Sequence, residues 1–116
     1  MRYLLMSNID PTIVGAMTPE ARQATMHRFV AFTQALAESG VLRGAEQLHS
    51  PDTATTVRVR DEQLLLTDGP YADVTEFFGG YWILEAQDLD TALKYAQDCP
   101  ASVLGSVEVR ALVELG

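Results

Sequence analysis

An α+β sandwich, two helices packed on one face of a mostly antiparallel sheet, is the fold class this chain predicts. Two segments have helical apolar spacing with matching start and stop signals. The other apolar runs are short or alternate with period two, and the order is strand, helix, strand, hairpin, strand, helix, strand. At 116 residues, with 47% hydrophobic and 21% charged side chains, the chain has the size of a single domain over 1–116.

The first strand is the apolar run Tyr3-Leu4-Leu5-Met6, ended by Ser7-Asn8 and Asp10-Pro11. A loop follows to about Met17. Thr18-Pro19-Glu20 reads as a helix start: a capping hydroxyl, proline at the first helical position and an acid near the positive end of the dipole. Gly40 is the matching stop. Between them Met26, Phe29, Val30, Phe32, Thr33, Leu36 and Ala37 share one face, read as a core face, while Arg22, Arg28 and Glu38 fall elsewhere. Val41 to Leu48 is a strand with a bend at Gly44. Thr55 to Arg60 alternates with period two and Gln63 to Thr67 returns after Asp61-Glu62, a hairpin. Gly80 to Ala86 is an aromatic strand, with Gly79-Gly80 as a bend or bulge that lets Trp82 pack. Asp88 caps a second helix carrying Leu89, Ala92, Leu93 and Ala96 on one side, ended by Pro100, and Ser106 to Glu114 alternates as the last strand.

This order is that of a ferredoxin-like split β-α-β sandwich with a hairpin insert. Two helices cover one sheet face and leave the other bare. Yet Leu4, Met6, Tyr81 and Ile83 are apolar on the opposite parity to Tyr3, Leu5, Trp82 and Leu84. A large uncovered apolar sheet face marks an interface, so the expectation is a homodimer about a two-fold axis with the two sheets facing each other.

The segments MRYLLMSN, GVLRGAEQL, TTVRVRDEQLLLTDGPYADVTEFFGGYWILEAQDLDTALKYAQDCPA and GSVEVRALVE resemble, in order and over nearly the whole chain, the YCII-related family and within it the DGPF branch. Asp68-Gly69-Pro70 matches that branch's motif, with Tyr71 in the aromatic place. The resemblance implies a dimeric α+β barrel, a bacterial source and, for some relatives, a link to sigma factor systems, but no assigned reaction. Catalytic relatives carry a proposed His and Asp in the dimer cleft. In this sequence those positions fall on Phe29 and Cys99, so the pair is absent. His27 is turned from the Met26, Phe29, Leu36 stripe by roughly 140° at about 3.6 residues per turn, towards solvent.

Eight Lys and Arg against 16 Asp and Glu give a net charge of -8, which disfavours nucleic acid, whose phosphates need a clustered basic surface. The first apolar run is too short for a signal segment or a membrane span, giving the expectation of a cytoplasmic protein without membrane contact. Cys99 is the single cysteine, read as a small packing residue at a helix end. No His or Cys spacing points to a metal. Gly79-Gly80 leads into a strand, not a helix, so no phosphate loop and no cofactor is expected.

Candidate ligand-binding residues are Asp68 and Tyr71 at the Asp-Gly-Pro-Tyr corner, Arg58 and Arg60 of the hairpin, Tyr81 and Trp82 of the next strand, and His49 of a loop. Arginine beside aromatics suits a small anionic or planar ligand. The alternative at the corner is a plain turn, Gly69 at positive φ and Pro70 stiffening the exit. For Arg58 and Arg60 it is a dimer-rim face, and for His49 a loop position without a role. Three functions follow: a dimeric small-molecule-binding or accessory domain, an isomerase-like or hydrolase-like enzyme in the barrel cleft, or a protein-contact regulator. The missing His and Asp pair favours the first.

Overall fold

The computed structural model describes residues 1–69 and 75–115. In chain order the elements are β1 (Arg2–Ile9), α1 (Pro11–Gly15), α2 (Pro19–Glu38), β2 (Leu42–Gln47), β3 (Thr55–Arg60), β4 (Gln63–Asp68), β5 (Phe77–Glu85), α3 (Leu89–Asp98), α4 (Ala101–Leu104) and β6 (Gly105–Ala111), with a 3-10 turn at Pro51–Thr53 between β2 and β3. Strands β2-β5-β1-β6 form one sheet in that order, every neighbouring pair antiparallel, and β3-β4 form a second, two-stranded sheet. This is the ferredoxin-like α+β sandwich with its hairpin insert, β1-α2-β2 and β5-α3-β6 being its two split halves.

Helix α2 begins as its sequence predicts. The Thr18 hydroxyl accepts from the Ala21 N–H at 3.1 Å, Pro19 opens the first turn, and Gly40 at φ +80° releases the chain. Strand residues of one parity, Tyr3, Leu5, Trp82 and Leu84, meet Phe32 and Leu36 of α2 and Ala92 and Ala96 of α3 in a single core. Leu5 and Leu84 are completely shielded, each such side chain stabilising the fold by about 1.5–3 kcal/mol. The other parity, Leu4, Met6, Tyr81 and Ile83, lies on the face opposite this core and keeps partial exposure.

Two bulges shape the sheet. Ser7 pairs with Gly80 and Asn8 with Phe78, leaving Gly79 as the extra residue, and Arg43 is the extra residue between Leu42 and Gly44. A Cβ on Gly80 would stand 2.8 Å from the Glu46 carbonyl oxygen, so only glycine lets β2 approach β5 there.

Four local features differ from the sequence reading. The stretch after β1, expected as a loop, contains α1, because the Asp10 carboxylate caps it and Pro11 fits its first turn. Pro100 ends α3 and also heads the short helix α4. Strand β5 starts at Phe77, before the glycines, and β6 stops at Ala111, leaving Val113 77% exposed.

The β3-β4 hairpin stands apart from the sandwich as an arm. The radius of gyration is 16.1 Å, against roughly 13 Å for a compact chain of about this length. At the arm's base the Gly69 N–H donates to the Ala54 carbonyl at 2.7 Å and the Thr56 hydroxyl donates to the Gly69 carbonyl at 3.0 Å, with Gly69 at φ +96°. The Asp-Gly step is thus bonded back onto the start of the arm, with the positive φ that the turn reading expects of Gly69. Pro70 and Tyr71 lie outside the described residues.

Candidate functional site

A cleft of about 770 Å³ opens between α2 and the β2-β5 side of the sheet. Its inner wall is Trp82. The Phe29 ring lies parallel to the Trp82 indole with centroids 6.1 Å apart, Phe32 meets it edge-on at 5.1 Å, and the indole N–H donates to Thr33 Oγ1 at 3.0 Å. These contacts fix the ring's plane and rotation. Met26 and Val30 of α2, 61% and 51% exposed, form the outer lip, and Val14 and Met17 are also part of the lining.

Met26 and Val30 were expected in the core and lie on the cleft wall. Helical spacing reports which side of α2 an apolar side chain occupies, not how far the sheet extends beneath it. The row Arg22, Met26 and Val30, at i, i+4 spacing beside the buried Phe29, Phe32 and Leu36, was the available signal for a second stripe.

Two of the cleft's hydroxyls are engaged within their own helix. Thr33 Oγ1 accepts from Trp82 and donates to the Phe29 carbonyl at 3.0 Å, and Thr25 Oγ1 donates to the Ala21 carbonyl at 2.8 Å, so both hydroxyl protons are spent inside α2. The ionisable residues bordering the cleft are Arg22, Glu46, His49 and Tyr81 among those described. Tyr81 borders it from a position whose side chain the strand alternation sends to the other sheet face.

Of the sequence candidates, the structure brings Trp82, Tyr81 and His49 to this cleft and carries Arg58, Arg60 and Asp68 on the arm, outside its described lining. Arg60 Nη1 donates to the Val59 carbonyl at 2.9 Å. Tyr71 lies outside the described residues. Arg22, Thr25, Met26 and Phe29 are among the cleft residues that the sequence reading did not single out as binding candidates. His27 is exposed, as expected. Two carboxylates held below the usual range are helix caps: Asp10 and Asp88 each accept from the hydroxyl and then the N–H of the threonine in the first turn, Thr12 and Thr91.

The family model of the YCII-related domain matches residues 1–116. The chain belongs to the YCII-related family. Among curated proteins this YCII-related chain is 28% identical over 114 residues to an uncharacterised protein of Rhizobium meliloti (strain 1021), covering 97% of this chain and 92% of that one. Among solved structures it is similar to the 5-chloro-2-hydroxyhydroquinone dehydrochlorinase TftG of Burkholderia phenoliruptrix AC1100, in complex with 2,5-dihydroxybenzoquinone. The TM-score is 0.55 at 15% identity, over 97% of this chain and 94% of that one, a likeness of fold. Phe29, where the resemblance puts the histidine of catalytic relatives, stacks on Trp82 in the cleft, and Cys99, where it puts the aspartate, is 1% exposed.

Proposed function

We propose that this protein is a DGPF-type member of its family, a homodimeric cytoplasmic domain of bacteria that binds a small planar molecule without acid–base catalysis. The observation that carries the proposal is the cleft between α2 and β5: roomy, apolar, floored by an oriented indole, with both threonine hydroxyl protons already spent. Ligand sites have this character, a mostly hydrophobic concavity with few polar groups. Arg22 and His49 at its border suit an anionic substituent on the ring. The planar quinone bound by the dehydrochlorinase of similar fold supports this ligand class as a starting point. The bare sheet face with Leu4, Met6, Tyr81 and Ile83 supports the homodimer.

Trp82 is the single tryptophan, so one indole N–H resonance reports on the cleft. Titration with 2,5-dihydroxybenzoquinone should shift or broaden that resonance saturably, and Val30→Phe, which narrows the mouth, should weaken the effect. An unmoved indole signal with that quinone and with 1-anilinonaphthalene-8-sulfonate would refute a ligand site here. Turnover of the quinone, suppressed by His49→Ala, would replace the binding reading with the enzyme one.

A further inference from the structure

The β3-β4 arm cannot account for itself. Directly opposed residues of a hairpin share a face, and the pairs Val57 with Leu66 and Val59 with Leu64 put four aliphatic side chains together. Their exposures are 60%, 63%, 59% and 64% in that order. Every residue of β4 is exposed. A lone two-stranded hairpin is marginal in water even without such a face. The tip adds strain, because Asp61 and Glu62 sit at φ 52° and 64°, a region that costs non-glycine residues.

We infer that the Val57, Val59, Leu64, Leu66 face of the arm packs on a second copy of this chain, so that the arm is a dimerisation element. This rests on the homodimer reading above and adds to it which surface makes the contact. The occupant follows from supply and area. The aliphatic face is a permanent part of the chain, and the cover available whenever the chain is folded is the chain itself. Four such side chains make a patch on the order of 400 Å². Two arms, one from each copy, added to the two bare sheet faces, reach the roughly 1,200 Å² or more that a stable interface buries. Six residues per strand at about 3.4 Å each give the arm a reach of about 20 Å, comparable to the width of a four-stranded sheet at about 4.8 Å per strand. A two-fold arrangement lets each arm cover the other copy while its own copy is covered in return.

Sedimentation equilibrium tests this. Wild type should be a dimer, and Leu64→Asp with Leu66→Asp should raise its dissociation constant roughly tenfold or more. Leu65→Asp on the opposite arm face should change it far less, and the Trp82 indole resonance should stay native-like in all three. A dimeric wild type with an unchanged constant in the double variant would overturn the arm's role and leave the homodimer standing; a monomeric wild type would remove both. Should the double variant not fold, Val59→Cys decides, because Cys99 is buried. Its alkylation should slow as protein concentration rises through the dissociation constant, and a rate independent of concentration would overturn the inference.

Discussion

The Trp82 indole N–H and the Thr33 hydroxyl, 3.0 Å apart, tie β5, one of the two inner strands of the sheet, to α2 at the floor of the cleft. Both residues are largely shielded, Trp82 to 6% exposure, so an unsatisfied indole N–H there would carry a desolvation penalty. Thr33→Val should cost about 1–3 kcal/mol, read as a lower urea midpoint with unchanged slope. The indole resonance should move in the free protein. Thr33→Ser, which keeps the acceptor, should recover most of the loss.

Gly105 opens β6 against the end of β1, pairing with Ile9. A Cβ at this position would run into the Asn8 carbonyl, with the Asp10 nitrogen 3.0 Å away, all of it main chain. Gly105→Ala should therefore destabilise by about 1–3 kcal/mol, the cost of overpacking a site that cannot yield. Gly15 at the end of α1 has open space where its Cβ would be. Gly15→Ala should gain about 0.4–1 kcal/mol by restricting the unfolded chain. Thermal melts of the two variants should move in opposite directions.

How far the chain could be read in advance varies with the range of the interaction. The caps of α2 and α3, the hairpin pairing and the bulge at Gly79 depend on neighbours in sequence, and Thr18, Gly40, Asp88 and the Gly-Gly pair announce them. The cleft depends on where a helix lies over a sheet. Met26 and Phe29 look alike as apolar positions of one helix, yet only Phe29 reaches Trp82. His49 and Trp82 come together only because β2 and β5 are neighbours, a long-range pairing that spacing does not encode. The Asp10-Pro11-Thr12 start of α1 was legible as a cap and lacked only a long enough apolar stripe behind it.

The arm's tip is a two-residue turn built from Asp61 and Glu62, both at positive φ. Such turns favour Asn-Gly, and each non-glycine residue in this region costs about 1–2 kcal/mol. Replacing Asp61-Glu62 with Asn-Gly should slow amide exchange across Val57 to Leu66, measured by NMR. Exchange in β1 and β5, whose pairing does not depend on the tip, should change little.

The capping carboxylates set an acid limit. Asp10 and Asp88 are held below their usual value of 3.8 by the hydroxyls and N–H groups of Thr12 and Thr91. A depressed folded-state pKa means the contribution is complete above the unfolded value and is lost as pH falls below 3.8 through the lower folded value. The melting temperature should thus drop as pH goes from about 5 to about 2. Asp88→Asn, which can still cap but does not ionise, should show a shallower drop than wild type.

Cys99 sets the opposite limit. The side chain is 1% exposed at the α3 end, and burial pushes its thiol from 9.0 up to about 11. Raised above the unfolded value, it leaves stability whole below pH 9.0. As pH rises through the interval to about 11, the unfolded chain loses this proton first and the fold loses stability, by at most about 1.4 kcal/mol per pH unit. Cys99→Ala removes that alkaline slope and leaves a small void. Ellman's reagent gives the independent check: at neutral pH the thiol should react only through the unfolded form, so its rate should rise with urea in step with the unfolded fraction. A fast reaction in the absence of urea would mean an accessible, low-pKa thiolate. Cys99 would then be a reactive group at the position where, by resemblance, catalytic relatives carry their aspartate.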